Sequence, residues 1–259
     1  MLTLSTFIAK RTPHSFAALG KPLAGDAAHV IWAHGWGQDH RAFLPLAQSL
    51  ERAAHHTLVD FPGFGLSPPP ADAWDTADYA DAMAEWLATQ PRGRRIWVGH
   101  SFGCRVGMRL AARHPEAVDG MVLAAGAGLQ PQRSFANKMR IAVRIRLFKT
   151  LKLMEKLGVD VSAQKARFGS ADYRNAGVMR PILVKVVGED QTDVARQIRS
   201  KVALFYGEKD DQTPPEMGER LSRLIPDATL SILPGLDHYT ILTDGGPQIT
   251  YAVSKMLEG

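Results

Sequence analysis

Short apolar runs of strand length recur along the chain, separated by segments with helical spacing, and this alternation restricts the fold more than any other feature. Residues 29–33 (HVIWA), 56–60, 95–99 and 120–124 have the β-branched and apolar composition of buried strands. Between them, residues 41–53, 75–89 and 102–113 repeat apolar side chains at helical intervals, as with Tyr79, Met83, Trp86 and Leu87. The pattern returns near the C-terminus, with strands expected at 202–206 and 229–233 and helices at 216–224 and 247–257. Strands separated by helices imply βαβ units, hence an α/β protein with a mostly parallel sheet and helices on both faces.

The alternation fails between about residues 130 and 199. Residues 135–157 and 172–197 favour helix, with few strand signals. We therefore expect a first core part over 1–129, a helical cap over 130–198, and a second core part over 199–259. The cap would lie over the carboxyl edge of the sheet, where open α/β sheets bind ligands.

One motif sits at a junction of this pattern. Gly99-His100-Ser101-Phe102-Gly103 ends an expected strand and opens an expected helix. That is the context in which G-x-S-x-G forms a strained turn projecting a serine hydroxyl above the sheet. The flanking glycines let the turn pack against its neighbours, and the helix N-terminus supplies unpaired N–H groups. The strand at 29–33 runs into His34-Gly35-Trp36-Gly37, a turn able to aim the Trp36 backbone N–H at a substrate oxygen, with the Phe102 N–H as second donor. An acid follows the strand at 202–206 in Gly207-Glu208-Lys209-Asp210-Asp211, and a histidine follows the strand at 229–233 in Pro234-Gly235-Leu236-Asp237-His238. The chain order is Ser, Asp, His.

With HGWG at 34–37, VDFPGFGLS at 59–67, GHSFG at 99–103, GEKDDQTP at 207–214 and LPGLDH at 233–238, the sequence resembles the α/β-hydrolase superfamily, in its small serine carboxylesterase branch, over essentially its whole length. The resemblance implies an eight-stranded, mostly parallel sheet with a helical cap after the sixth strand. It implies Ser101 as nucleophile, His238 as general base and then acid, and Asp210 as the carboxylate orienting it. Asp210 fits the G-x-x-D spacing from Gly207, and Asp211 is the adjacent alternative. The implied reaction is cleavage of a carboxylic ester or thioester through an acyl-enzyme. In layout the chain is similar to the pimeloyl-acyl-carrier-protein methyl ester esterases and to the meta-cleavage-product hydrolases. The latter make carbon–carbon cleavage of ring-fission diketones the alternative, although their elbow usually reads G-N-S-x-G-G, whereas here His100 replaces Asn and Cys104 the second glycine. A non-catalytic binding protein on the same fold is the remaining reading, and the ordered Ser, Asp and His argue against it.

Composition excludes other classes. The net charge of +5 is too small for this length to imply nucleic acid. The single Cys104 rules out a disulfide framework and a CxxC zinc site, and expected within a helix it reads as a small buried residue. His40, His55, His56 and His114 lack metal-ligand spacing, His34 and His100 read as packing residues beside the active loops, and Asp60 as the organiser of its own loop. Neither metal nor organic cofactor is expected. The longest apolar run is far short of a membrane span, and charges Lys10 and Arg11 follow rather than precede the N-terminal apolar stretch, so a cytoplasmic protein is expected. Basic residues including Arg140 and Arg144 gather in a stretch of the expected cap that has no acidic residue. They form either the solvated face of an amphipathic helix or a patch for an acidic carrier protein or an anionic surface.

Overall fold

The computed structural model describes residues 2–130, 146, 150, 154 and 171–258. An eight-stranded sheet runs through it in the order β1-β2-β4-β3-β5-β6-β7-β8. The strands are β1 (Thr3–Ala9), β2 (Thr12–Gly20), β3 (His29–Ala33), β4 (His55–Asp60), β5 (Arg95–His100), β6 (Gly120–Ala124), β7 (Lys201–Gly207) and β8 (Ala228–Leu233). Five of the pairings, from β4–β3 through to β7–β8, are parallel, while β1–β2 and β2–β4 are antiparallel. The expected mostly parallel sheet is therefore present, with an N-terminal hairpin at one edge that the sequence reading did not anticipate.

That hairpin turns on Lys10 and Arg11, both in the left-handed region at φ 47° and 60°, between the paired Ala9 and Thr12. Two consecutive positive φ values give the primed turn whose twist matches antiparallel strands, usually supplied by Asn-Gly. Here two basic residues adopt it, so the usual turn signal is missing.

Helices cover both faces. Among the described residues they are α1 (Leu44–Ser49), α2 (Thr76–Ala88), α3 (Phe102–Arg113), α4 (Ala171–Asn175), α5 (Arg180–Gly188), α6 (Thr192–Gln197), α7 (Pro215–Leu224), α8 (Thr240–Thr243) and α9 (Gly246–Glu258). Asp75 caps α2 by accepting from the Ala77 and Asp78 N–H groups, while the Asp78 carboxylate accepts from the Asp75 N–H. Such reciprocal capping contributes about 1 kcal/mol. The helix expected over 41–53 is shorter: a 3-10 turn at His40–Phe43 precedes α1, and Pro45 occupies the first turn of α1. The helical tendency over 172–197 is realised in pieces, interrupted by Gly177 at φ 49° and restarted by Pro181 in the first turn of α5. Pro181 lacks the N–H that a continuous helix would need there.

Alternate residues of the central strands feed two cores. Val30 and Trp32 of β3, with Ile96 and Val98 of β5, face α1 and α9. Ile31 and Ala33, with Trp97, face α2 and α3. Every residue of β3, β5 and β6 is buried. A fully buried large apolar side chain contributes roughly 1.5–3 kcal/mol, so these doubly covered strands form a rigid platform.

The expected helix over 135–157 and most of its basic residues lie outside the described residues. Arg146 is described and exposed, and Met154, expected on a buried stripe, is 39% exposed. Among the described residues no helix is long and apolar enough to cross a membrane.

Candidate active site

The chain passes from β3 outward to β4 on one side and returns through β5 to the other, so a crevice opens between the carboxyl ends of β3 and β5. Ligands of open α/β sheets bind at such switch points. The loop after β3 and the turn after β5 meet there.

Ser101 sits in the turn with φ 47° and ψ −101°, immediately before α3. A non-glycine residue in that region is strained by about 1–3 kcal/mol, and the surroundings must hold it. The Ser101 N–H donates to the Ala124 carbonyl on β6, and the Trp97 indole N–H donates to the Gly103 carbonyl. Gly103 is required by proximity: a Cβ there would lie 2.0 Å from the Ala33 carbonyl oxygen. The elbow thus touches the end of β3 directly.

The His34–Gly37 turn is closed by the Gln38 N–H donating to the Gly35 carbonyl and by the Gly35 N–H donating to Gln38 Oε1. Trp36 stands at its corner and shares a cavity wall with Ser101 and Phe102. Phe102, first residue of α3, holds one of the N–H groups that a helix start leaves without an internal partner.

The loops after β7 and β8 are joined by backbone hydrogen bonds, Glu208 N–H to the Leu233 carbonyl and Lys209 N–H to the Leu236 carbonyl. Gly207 permits this approach, since a Cβ there would meet the Leu236 oxygen at 2.4 Å. The joined loops bring His238 Nδ1 to 2.7 Å from Asp210 Oδ2, with both side chains buried. Asp210 Oδ1 also accepts from the Gln212 and Thr213 N–H groups, and Oδ2 from the Thr213 hydroxyl at 2.8 Å. Burial pulls the Asp210 carboxyl upward, but the bonds from His238 and Thr213 outweigh it and hold the acid below the ordinary carboxylate range. Asp211, the adjacent alternative, is exposed. With Nδ1–H committed to Asp210, Nε2 is the lone-pair nitrogen of a neutral His238 ring.

His238 and Ser101 line the same cavity, of about 240 Å³, together with Trp36, Phe102, Arg105, Thr213 and apolar side chains that include Leu183 and Val186 of α5. Among the described residues no hydrogen bond joins the Ser101 hydroxyl to His238 in this conformation. Catalytic hydrogen bonds are often long before substrate binds. A larger groove of about 1200 Å³ lies elsewhere, lined by Arg94, Asp119 and Lys201 at the amino ends of β5, β6 and β7. It is at the wrong end of a parallel sheet to meet these loops.

Several neighbours hold the site without entering it. His100 Nε2–H donates to the His238 carbonyl at 2.9 Å, which ties the elbow to the loop after β8, and Gln38 of the turn after β3 packs beside the other edge of the ring. Burial, and then the proximity of His238, push His100 down to about 3, which keeps it neutral. His34 Nδ1–H donates to the Gly35 carbonyl, and its Nε2 accepts from the Phe61 N–H. Asp60 accepts from the His40 and Leu66 N–H groups, as expected of a loop organiser. Asp39, His40 and Asp60 place ligand atoms within 4.8 Å of one another, yet Asp60 is committed to those N–H groups and Asp39 to Arg41, so the cluster clamps its loop. Cys104 is buried, its thiol directed at the Ala124 carbonyl, and burial raises its pKa far from the reactive range. Thr213, Gln38 and Arg105 were not singled out from the sequence. The Asp210-to-Thr213 spacing was the available signal for Thr213, because an aspartate accepting from N–H groups two and three residues on is a common local turn.

Residues 30–247 match the alpha/beta hydrolase family. The chain is 26% identical over 259 residues to the 2-(acetamidomethylene)succinate hydrolase of Mesorhizobium japonicum, covering 94% of this chain and 92% of that protein. It is 29% identical over 237 residues to the pimeloyl-[acyl-carrier protein] methyl ester esterase of Chromobacterium violaceum, covering 85% of this chain and 90% of that protein. Among solved structures, a bacterial membrane phospholipase A matches with a TM-score of 0.76 at 20% identity, over 100% of this chain and 86% of that one. At that identity the likeness is one of fold.

Proposed function

Because the chain belongs to the alpha/beta hydrolase family, we propose that it is a serine hydrolase cleaving a carboxylic ester or thioester through an acyl-enzyme on Ser101. The observation that carries this reading is His238, hydrogen-bonded to Asp210, sharing one cavity with a serine held at positive φ. His238 Nε2 takes the Ser101 proton as Oγ attacks the substrate carbonyl, and Asp210 stabilises the imidazolium that forms. The Trp36 and Phe102 N–H groups hold the oxyanion, each contributing about 3 kcal/mol at the transition state. Collapse expels the alcohol or thiol, protonated by His238, and leaves an acyl group on Ser101. Water, deprotonated by His238, then releases the acid and restores the serine. In this reading the helical cap expected over 130–198 sets the substrate's size.

The test is a panel of p-nitrophenyl esters, acyl thioesters and a vinylogous diketone, run with the parent protein and Ser101→Ala. Ester or thioester turnover that falls by about 10⁴ in the variant, with an acyl mass increment on Ser101 in the parent, is the expected result. Turnover of the diketone alone would move the reading to carbon–carbon cleavage, and no turnover of any substrate would favour a binding protein. An acidic acyl carrier protein as partner, suggested by the basic stretch and by the name of the Chromobacterium violaceum relative, is tested with a carrier-bound ester after charge reversal at Arg140 and Arg144. An unchanged rate with no salt dependence would remove it.

A further inference from the structure

The cavity beside Ser101 holds one permanently charged side chain among the described residues that line it, and that side chain is a cation. Arg105 follows Ser101 by one helical turn, its N–H 3.4 Å from the Ser101 carbonyl, so both stand on one face of α3. Helical side chains lean toward the helix N-terminus, which directs this long side chain back toward the serine and the overlying α5. It reaches the Val186 carbonyl of α5 with Nη1 at 3.0 Å. Among the described residues this is its single hydrogen-bonded partner, leaving four of five guanidinium N–H groups uncommitted.

No carboxylate lies within 4 Å of the Arg105 guanidinium among the described residues. The nearby Glu189 is occupied, accepting from Thr76, Gln191 and Arg109. Arg109 makes an instructive contrast: one turn further from Ser101 on the same helix, it has its acid at 3.5 Å. Burial lowers the Arg105 pKa even though the charges of Glu189 and Asp190 pull it upward, and neither acid stands within ion-pair distance of the guanidinium. An arginine stays protonated even so, and a buried charge left unpaired is destabilising. Among the described residues no aspartate or glutamate lines the cavity to relieve it, and the start of α3 adds further positive potential at Ser101.

We propose that Arg105 binds a carboxylate borne by the substrate a few bonds from the scissile carbonyl, making the site selective for monoesters or thioesters of small dicarboxylic acids. The planar guanidinium, steadied by Val186, presents its remaining N–H groups to such an anion, and the cavity of about 240 Å³ restricts the connecting chain to a short one. This inference rests on the proposed hydrolase reading, and its test separates the two.

The test compares the p-nitrophenyl monoesters of succinate and glutarate with p-nitrophenyl butanoate and pentanoate, which carry a methyl group where the monoesters carry the carboxylate. In the parent protein kcat/KM should favour the carboxylate probes by at least tenfold, through KM, with the preference narrowing as salt is raised. In Arg105→Gln the ratio of the two kcat/KM values should fall at least tenfold, and Arg105→Lys should restore part of it. Free glutarate should compete against the neutral esters in the parent and raise its Tm, while the neutral diamide should do neither. If the parent turns over neutral esters through Ser101 without preferring the carboxylate probes, the hydrolase reading stands and the Arg105 proposal is overturned. An equal loss on both probe types in Arg105→Gln would likewise overturn it and leave Arg105 as a link to α5. If no ester is turned over, the hydrolase reading fails, and the glutarate Tm shift in parent against Arg105→Gln still decides whether the anion site exists.

Discussion

His14 lies within β2 with its side chain fully buried, its ring stacked 4.5 Å from Phe7 and tilted against Trp74 at 6.0 Å. Neither ring nitrogen completes a hydrogen bond, and burial, only partly offset by the nearby Ala9 backbone, pushes it down to about 4. An unfolded chain takes up this proton near the ordinary 6.5. The folded-state value is depressed, so the unfolded state binds the proton first as pH falls. Stability is therefore complete above 6.5 and declines as pH drops toward 4. At pH 5 the folded ring is still neutral while the unfolded one is charged. The loss is then set by the distance from 6.5 to 5, and at about 1.36 kcal/mol per pH unit it amounts to about 2 kcal/mol. His100, held near 3, adds a similar amount. Against a typical total of roughly 5–15 kcal/mol, two such groups are a large fraction. The assay is urea unfolding of the parent and of His14→Phe at pH 7, 6 and 5. The substituted phenyl group keeps an aromatic ring at this position but cannot take a proton, so the variant should lose about 2 kcal/mol less than the parent between pH 7 and 5, whatever its absolute stability. Equal losses in the two proteins would refute the reasoning.

Asp210→Asn should leave the fold in place and lower kcat by about 10⁴, as expected when a triad histidine loses the acid that fixes its tautomer; steady-state kinetics with circular dichroism as control would check it. Thr213→Val removes the hydroxyl that donates to Asp210 Oδ2 at 2.8 Å. A loss of about 1.4 kcal/mol at the transition state would appear as a tenfold fall in kcat with little change in KM. Gly103→Ala forces a Cβ to within 2.0 Å of the Ala33 oxygen, so β3 and the elbow must separate; a destabilisation of more than about 3 kcal/mol in thermal unfolding, with loss of ester turnover, is expected, and near-parental values of both would count against the required close approach.

What was legible in the sequence was whatever local chemistry writes directly. β3 and α3 fall at the expected residues because burial on both faces gives β3 an uninterrupted apolar run and because the Gly-x-Ser-x-Gly turn marks where α3 starts. The N-terminal hairpin escaped because Lys10 and Arg11 make its turn in place of the usual Asn-Gly and because most of β1 is exposed rather than buried in the core. At the candidate site, strand ends and motif order brought out Ser101, Asp210, His238, Trp36 and Phe102. Sequence spacing favoured Asp210 over Asp211 without settling adjacent residues; that distinction depends on one side chain turning inward to His238 and the other to solvent. Arg105 was invisible for a related reason. A basic residue on a helix is ordinarily a solvated charge, and only the packing of α5 over α3 shows that this one is enclosed.

β6 and β7 lie side by side in parallel, yet the chain between Ala124 and Lys201 leaves the sheet at one strand's tip and re-enters at the far end of its immediate neighbour. Closing an excursion between adjacent strands costs little chain entropy, since doubling a flexible loop adds only about 0.6 kcal/mol, but α5 and α6 within it bury Ile182, Val186, Val194 and Ala195 in a core that any replacement must refill. Ser101, Asp210 and His238 of the candidate site stand on strand ends that such a graft leaves alone. Recruiting this scaffold to new substrates is therefore best attempted by transplanting that excursion whole, leaving the platform that carries Ser101 unaltered.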